Sequence, residues 1–215
     1  MVRLDILSDP VCPWCYIGKA HLDAALALAP DHPFLIEWHP FQLNPDMPRD
    51  GADRRTYLMA KFGGPAQMDS AYARVAAAAA EAGLQIDFDR IDRVPNTLDA
   101  HRLIHWAGIE KAQGPVVDAL FRAYFVEGRD IGDRDVLCDI ADTAGMDAAV
   151  MGRLLASDTD EATIRARDAH SRQMGVSAVP TFIVDERHAV PGAQPPAMWA
   201  RVIAELTGQD KSLTA

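Results

Sequence analysis

Hydrophobic spacing typical of strands occurs twice near the start of the chain. Residues 2–8 alternate apolar and polar side chains, and residues 34–38 form a short, mostly apolar run. Between them, residues 14–29 repeat apolar positions at helical spacing until Pro30 ends the pattern. A strand, a helix and a strand in this order predict a βαβ unit, and its crossover makes the two strands parallel.

The middle of the chain, from about residue 44 to residue 174, has helical periodicity and almost no strand signal. Predicted helices include residues 66–82, which end at Gly83, the apolar faces within 117–125 and 136–144, and a helix that begins near Asp158 with Glu161 as capping-box partner. The strand signal then returns over 181–184, followed by a short partner strand ending near Pro191-Gly192 and a helix over 196–206.

This order of elements predicts an α/β fold in which an all-helical block interrupts a small domain. We assign residues 1–44 and 175–215 to the discontinuous α/β domain and residues 45–174 to the helical insertion. The strands at the two ends of the chain must then pair with each other to complete one sheet.

The composition is that of a globular protein, with 49% hydrophobic and 24% charged residues among 215. A net charge of −10 repels phosphate backbones, and no basic cluster stands against it, so we expect no nucleic-acid binding. No apolar run reaches the roughly 18–20 residues of a membrane span, so we expect no membrane partner. Met1 directly before a strand and a count of only three cysteines favour a cytoplasmic protein.

The residues with the clearest chemistry are Cys12-Pro13-Trp14-Cys15, where the first strand gives way to the first helix. The first N–H groups of a helix lack partners, and with the helix dipole they stabilise an anion, here the thiolate of Cys12. Cys15 lies one turn into the helix and can close a disulfide with Cys12. We interpret Cys12 as the exposed nucleophile and Cys15 as the buried resolving thiol. Pro13 suits the first helical turn because its missing N–H is not needed there.

Zinc binding is the main structural alternative for a Cys-x-x-Cys pair. A four-ligand zinc site needs a second pair of cysteines or nearby histidines, and the remaining cysteine, Cys138, stands alone in a helical pattern. We interpret Cys138 as a small buried hydrophobe. His101 and His105 are four residues apart on a predicted helix, but no third ligand accompanies them. The sequence therefore favours a redox pair, with no metal and no bound cofactor.

A second candidate element, Val179-Pro180-Thr181, stands immediately before a predicted strand. A proline at the first position of a strand is compatible with an ordinary trans peptide bond. In a thioredoxin fold, a proline here is cis and packs against the dithiol, and we expect that arrangement. It leaves the backbone of Val179 available to pair with an extended substrate segment.

Five segments together resemble the DsbA-like family of thioredoxin-superfamily oxidoreductases, and within it the FrnE-type branch, often described as dithiol–disulfide isomerases. The segments are residues 12–19, 41–45, 96–103, 179–182 and 192–194, and they span nearly the whole chain in order. The resemblance implies a thioredoxin fold interrupted by a helical insertion. It also implies disulfide exchange through Cys12 and Cys15 beside a cis Pro180.

The resemblance further implies an active-site loop and substrate-binding surface formed by Pro13, Trp14 and Val179, with His101 lining the cleft beside the dithiol. One departure is Ser177-Ala178, where relatives often carry a glycine before the Val-Pro pair. That departure bears on the shape of the loop and on substrate fit.

Periplasmic members of this family typically place a histidine between the two cysteines, whereas Pro13 and Trp14 are uncharged. The resemblance therefore implies a milder oxidant that acts as a reductase or isomerase under cytosolic conditions. The expected partners are disulfide-containing proteins or peptides and a reductant such as glutathione or a thioredoxin-type protein. The chain is expected to act as a monomer or homodimer.

Two other functions fit the same layout. A glutathione-dependent isomerase or transferase, of the 2-hydroxychromene-2-carboxylate isomerase or kappa type, shares the architecture but usually carries serine at the nucleophile position and lacks the second cysteine. The presence of both Cys12 and Cys15 tells against it. A redox-regulated chaperone would instead use the dithiol to switch a peptide-binding insertion.

Overall fold

A computed structural model of the protein describes residues 1–208. Its strands are β1 (Val2–Ser8), β2 (Phe34–Pro40), β3 (Ala52–Asp53), β4 (Arg93–Val94), β5 (Thr181–Val184) and β6 (His188–Pro191). Its α-helices are α1 (Pro13–Leu28), α2 (Arg54–Phe62), α3 (Pro65–Glu81), α4 (Leu98–Ile109), α5 (Gln113–Phe125), α6 (Arg134–Thr143), α7 (Ala148–Leu155), α8 (Glu161–Gln173) and α9 (Pro196–Thr207).

The main sheet combines strands from both ends of the chain, in the order β2-β1-β5-β6. β1 runs parallel to β2 and antiparallel to β5, and it aligns Leu4 with Ile36 on one side and with Val184 on the other. The predicted βαβ unit and the predicted pairing of the two chain ends are therefore confirmed. This pairing brings β5, and with it the preceding Val179-Pro180, beside the strand that leads to Cys12.

One layer of the core lies between the sheet and the helices α1 and α9. Trp199 on α9 is completely buried and meets Phe182 of β5 and Phe34 of β2 edge-on, with ring centroids 4.7 and 6.5 Å apart. These contacts fix α9 against the two strands that flank β1. Trp199 thus packs against β5, the strand that follows Pro180.

Helices α2 to α8 lie between β2 and β5, so the predicted fold class, a thioredoxin fold interrupted by a helical segment, is confirmed. Within residues 1–208, no helix is long and apolar enough to cross a membrane. The boundaries at 44/45 and 174/175 stay predictions, and residues 209–215 of the predicted α/β domain lie outside the described residues.

Two local features of the middle segment differ from the sequence prediction. β3 and β4 form a two-stranded ladder, which two-residue strands are too short to reveal as an alternating pattern. Helix α8 begins at Glu161 rather than near Asp158, and its N-cap Asp160 adopts a left-handed backbone (φ 64°) without capping through its side chain. The Glu161 carboxylate pairs with Arg49 instead of closing a capping box.

Candidate active site

Cys12 is the N-cap residue of α1, with extended backbone angles (φ −88°, ψ 112°) and with Pro13 in the first turn. Its N–H donates to the carbonyl of Asp9, and its carbonyl accepts from the N–H of Cys15 at 3.0 Å. The turn after β1 therefore aims the Cys12 side chain at the helix start, where unpaired N–H groups favour a negative charge.

Cys15 lies behind Cys12, and its side chain is buried, with 1% of the residue exposed. Burial raises the pKa of the Cys15 thiol well above its ordinary range. A hydrogen bond to Cys12 and the charge of Cys12 act in the same direction, while Ser8 and the backbone of Asp9 oppose them. Cys15 is thus a protonated thiol held next to Cys12, away from solvent.

Val179 and Pro180 lie against this dithiol although about 165 residues separate them from it in sequence. The Sγ of Cys12 is 3.6 Å from the carbonyl oxygen of Val179, and the Val179–Pro180 peptide bond is cis. Gly18 allows α1 to approach this segment, because a Cβ at Gly18 would lie 3.0 Å from Cγ of Pro180. Two of the segments that carry the family resemblance, the dithiol and the Val179-Pro180 pair, therefore lie in contact.

A cavity of about 460 Å³ opens onto Cys12. One wall is the active-site segment with Trp14 and Val179, and the other includes side chains from α2 and α3 together with the rings of Phe88, Tyr124 and Phe125. We expected Cys12 to be exposed, but only 4% of the residue is, because these walls and Val179 cover it.

The other predicted site residues lie at different depths. Pro13 and Trp14 both line the cavity, and Trp14 is 40% exposed at its edge. His101 is buried on α4 and is not among the residues that line this cavity, so its place at the cleft beside the dithiol stays a prediction. Its Nε2 is 3.7 Å from Oδ1 of Asp9, in the turn that leads to Cys12.

Asp9 is a buried carboxylate that ties three segments together. Its Oδ2 accepts from the N–H of Leu43 at 2.7 Å, and its backbone carbonyl accepts from Cys12. Leu43 lines the cavity, so Asp9 fixes the loop after β2 relative to the dithiol. Asp9 is not recognisable as a site residue from the sequence, since an Asp-Pro pair before a helix is an ordinary turn signal.

Cys138 lies on α6 and is half-buried at the edge of the core, so its interpretation as a buried hydrophobe holds only in part. Burial raises the pKa of its thiol. It is not among the residues that line the cavity of Cys12. Cys138 is therefore a natural internal control for reactions at the dithiol.

A cluster of charged residues lines a second, larger cavity on the face of the sheet covered by α8. Asp5, Glu37 and His39 carry possible metal-ligand atoms within 4.8 Å of one another. Arg3 donates to Asp5 at 2.7 Å, and Arg167 contacts Glu37 at 3.2 Å and Nδ1 of His39 at 2.9 Å. A divalent cation would face two fixed positive charges here, so we interpret the cluster as an ion-pair network.

His39 makes this network sensitive to pH. Burial lowers the pKa of His39 below its ordinary value, and the charge of Arg167 adds to the effect, against the opposing hydrogen bond to Asp5. Because the unfolded chain then binds the proton more readily, stability is complete above about pH 6.5 and falls as the pH decreases towards the folded-state pKa. We expect the unfolding free energy to decrease as the pH falls below about 6.5, the ordinary pKa of histidine.

Urea unfolding at several pH values measures this effect. His39→Gln removes the titrating ring and should flatten the dependence, whereas His188→Gln, at an exposed position on β6, should leave it unchanged. Equal slopes in the wild type and in His39→Gln would show that another group causes the pH dependence.

The fold and this geometry define a class: a thioredoxin-type protein with a dithiol at the start of the first helix, packed against a cis-proline segment. A family model described as DSBA-like thioredoxin domain matches residues 3–204. The chain belongs to this family.

Three solved structures resemble the chain over nearly its whole length. The probable DsbA oxidoreductase SCO1869 of Streptomyces coelicolor is 31% identical, with a TM-score of 0.86 over 100% of this chain and 94% of that one. A 2-hydroxychromene-2-carboxylate isomerase is 17% identical, with a TM-score of 0.74 over 99% and 100%. The cytosolic disulfide reductase DsbM of Pseudomonas aeruginosa, also solved with GSH, is 20% identical, with a TM-score of 0.70 over 96% and 99%.

Besides Asp9, the residues at the site that the sequence did not predict lie on the wall contributed by α2 and α3. Arg54, Tyr57, Lys61, Tyr72 and Arg74 all line the cavity. Helical periodicity identified α3 but could not show that it folds over Cys12. Their signal in the sequence was the excess of basic residues over 54–74, where four basic residues stand against one acidic residue in an otherwise acidic chain.

Proposed function

We propose that this protein is a thiol–disulfide oxidoreductase that reduces or isomerises substrate disulfides through Cys12 and Cys15. The observation that carries the proposal is the asymmetry of the two thiols. Cys12 faces a cavity from the start of α1, whereas Cys15 is a buried thiol held next to Cys12. One thiol is placed to attack and the other to resolve.

The reaction follows from this asymmetry. The Cys12 thiolate attacks one sulfur of the substrate disulfide, forms a mixed disulfide and releases the other substrate sulfur as a thiolate, which takes up a proton. Cys15 then loses its proton and attacks Cys12, so that the second substrate thiolate leaves and the Cys12–Cys15 disulfide forms. Two electrons pass from the dithiol to the substrate. In isomerisation, a substrate thiol displaces Cys12 before Cys15 reacts.

The backbone of Val179 is the part of the site that we propose aligns the substrate. Its N–H has no hydrogen-bond partner within residues 1–208, and its carbonyl accepts a hydrogen bond only from the Cys12 sulfur there. An extended substrate segment can therefore pair with Val179 and bring its disulfide to Cys12. Pro180 holds this segment in place, and Trp14 offers an apolar surface beside it.

The reductive direction is favoured by the uncharged pair Pro13-Trp14, since no nearby cation between the cysteines stabilises the reduced form further. Glutathione is the proposed electron donor: two molecules reduce the Cys12–Cys15 disulfide and leave as glutathione disulfide. The likeness to DsbM, which was solved with GSH, supports this donor and a cytoplasmic setting.

The reduction potential of the Cys12–Cys15 couple, measured by equilibration with glutathione buffers, tests the proposed direction. We expect a value more negative than about −180 mV, within the range of reductases and isomerases and far from the strongly oxidising value of about −120 mV. A potential near the latter value would indicate an oxidase. Failure of the dithiol to oxidise at all would reject the oxidoreductase.

The isomerase structure supports a second candidate, a glutathione-dependent isomerase that shares this fold. That chemistry needs a thiol bound near Cys12 but no resolving cysteine. Activity on a hydroxychromene carboxylate that survives Cys15→Ser would favour it. Disulfide reduction that disappears in Cys15→Ser with glutathione absent would favour the oxidoreductase.

A further inference from the structure

The cavity in front of Cys12 has an unusual charge for this protein. The chain carries 31 acidic and 21 basic residues, yet the lining of the cavity includes three cations, Arg54, Lys61 and Arg74, and no carboxylate. All three cations lie on α2 and α3, opposite the dithiol segment. A substrate at Cys12 therefore meets positive charge on the far wall.

Within residues 1–208, no carboxylate lies within 4.0 Å of any of these three cations. Arg54 donates to the carbonyl of Phe88 and lies over the rings of Tyr72 and Phe88, 4.9 and 5.0 Å from their centroids. Lys61 donates to the hydroxyl of Tyr57 at 3.2 Å. The positive charges of Arg54 and Lys61 are thus held by neutral groups and stay available to an anion.

Tyr72 adds an unused hydrogen-bonding group to the same wall. Its hydroxyl oxygen is buried and has no partner within the described part of the chain. The ring stacks on Phe88 with centroids 4.5 Å apart, which fixes its position next to Arg54. A carboxylate that reaches this wall could accept from the hydroxyl and neutralise the guanidinium together.

We propose that Arg54, Lys61 and Arg74 select disulfides whose flanking groups carry carboxylates, such as glutathione disulfide or an acidic peptide disulfide. The proposal deepens the oxidoreductase function and rests on it for its biological meaning. Coulomb attraction in a partly enclosed cavity draws the anionic substrate in and holds its sulfur at Cys12. Cationic disulfides are disfavoured by the same wall.

Two alkylating reagents that differ in charge test the effect of the three cations on Cys12 without requiring turnover. Iodoacetate and iodoacetamide attack the same sulfur but differ in charge, so the ratio of their rates at Cys12 reports the local potential. Lys61→Gln combined with Arg74→Gln removes two exposed cations and spares Arg54, whose ring contacts serve the fold. We expect the iodoacetate-to-iodoacetamide ratio at Cys12 to fall about five- to tenfold, since each exposed pair contributes up to about fivefold.

Two controls keep this result specific. Arg55→Gln combined with Arg201→Gln removes the same charge from exposed positions outside the cavity and should keep the wild-type ratio. The ratio at Cys138, read from the same samples by mass spectrometry, should not change. Raising the salt concentration should lower the wild-type ratio at Cys12 towards that of the cavity variant. An unchanged ratio in the cavity variant, or an equal drop in the control variant, would overturn the proposal.

Turnover then separates this proposal from the proposed function. Wild-type protein should reduce glutathione disulfide faster than neutral hydroxyethyl disulfide and positively charged cystamine, and the cavity variant should lose most of this preference. An acidic peptide disulfide assayed in parallel distinguishes a small-molecule source from a peptide source. If the protein reduces neither anionic disulfide faster than the neutral and cationic ones, the proposed selectivity is wrong. If it reduces no disulfide at all while the alkylation ratio still shifts, only the oxidoreductase function is rejected.

Discussion

Cys12→Ser is expected to lose at least about a thousandfold in disulfide reductase activity, because a serine hydroxyl does not ionise near neutral pH and cannot form a disulfide. Cys15→Ser should behave differently. Cys12 faces the cavity and still attacks, but the buried partner that resolves the intermediate is gone. A mixed disulfide between Cys12 and the substrate should therefore accumulate, and mass spectrometry without reductant should detect it.

Cys138→Ala provides the matched control for these two variants. Cys138 is half-buried on α6 and does not line the cavity, so its replacement should leave turnover close to wild type. Loss of turnover in Cys138→Ala comparable to that in Cys12→Ser would make Cys138 a third redox residue. A substrate adduct on Cys15 or Cys138, rather than on Cys12, would show that the nucleophile is misassigned.

The sequence predicted the sheet well because its signals are local. The alternation in residues 2–8, the helix after Cys12 and the apolar run at 34–38 each lie within a few residues of the feature that they define. The pairing of β1 with β5 also followed, since strands at both ends of one small domain need a common core. The position of Cys12 at the start of α1 needed only the order of strand and helix.

Features that depend on how distant elements pack were not predictable in this way. The burial of Cys12 and the positive wall of the cavity arise because α2 and α3 fold over the dithiol, which no spacing in residues 54–81 reveals. The burial of His101 behind Asp9 depends on the packing of α4. The left-handed Asp160 and the pairing of Glu161 with Arg49 show long-range contacts replacing a local capping pattern.

The proposed site also depends on a core that lies behind it. Phe182 follows Pro180 by two residues and is completely buried against Trp199, so packing in this layer fixes the strand that carries the Val179 backbone. The edge-on contact of Trp199 with Phe34 extends the support to β2. Loosening this layer should therefore affect both stability and alignment at Cys12.

Trp199→Ala should lower the unfolding free energy by about 3–5 kcal/mol, because it removes a completely buried aromatic side chain and leaves a cavity between α9 and the sheet. Trp199→Phe keeps most of the volume and removes an indole N–H that is buried without a partner within residues 1–208, so it should cost less. Trp14→Ala, at a 40% exposed position, should cost below about 1 kcal/mol. Urea unfolding followed by far-ultraviolet circular dichroism measures all three without relying on tryptophan fluorescence. If Trp199→Ala proved no more destabilising than Trp14→Ala, α9 would not anchor the sheet, and the support of Val179 by this layer would have to be abandoned.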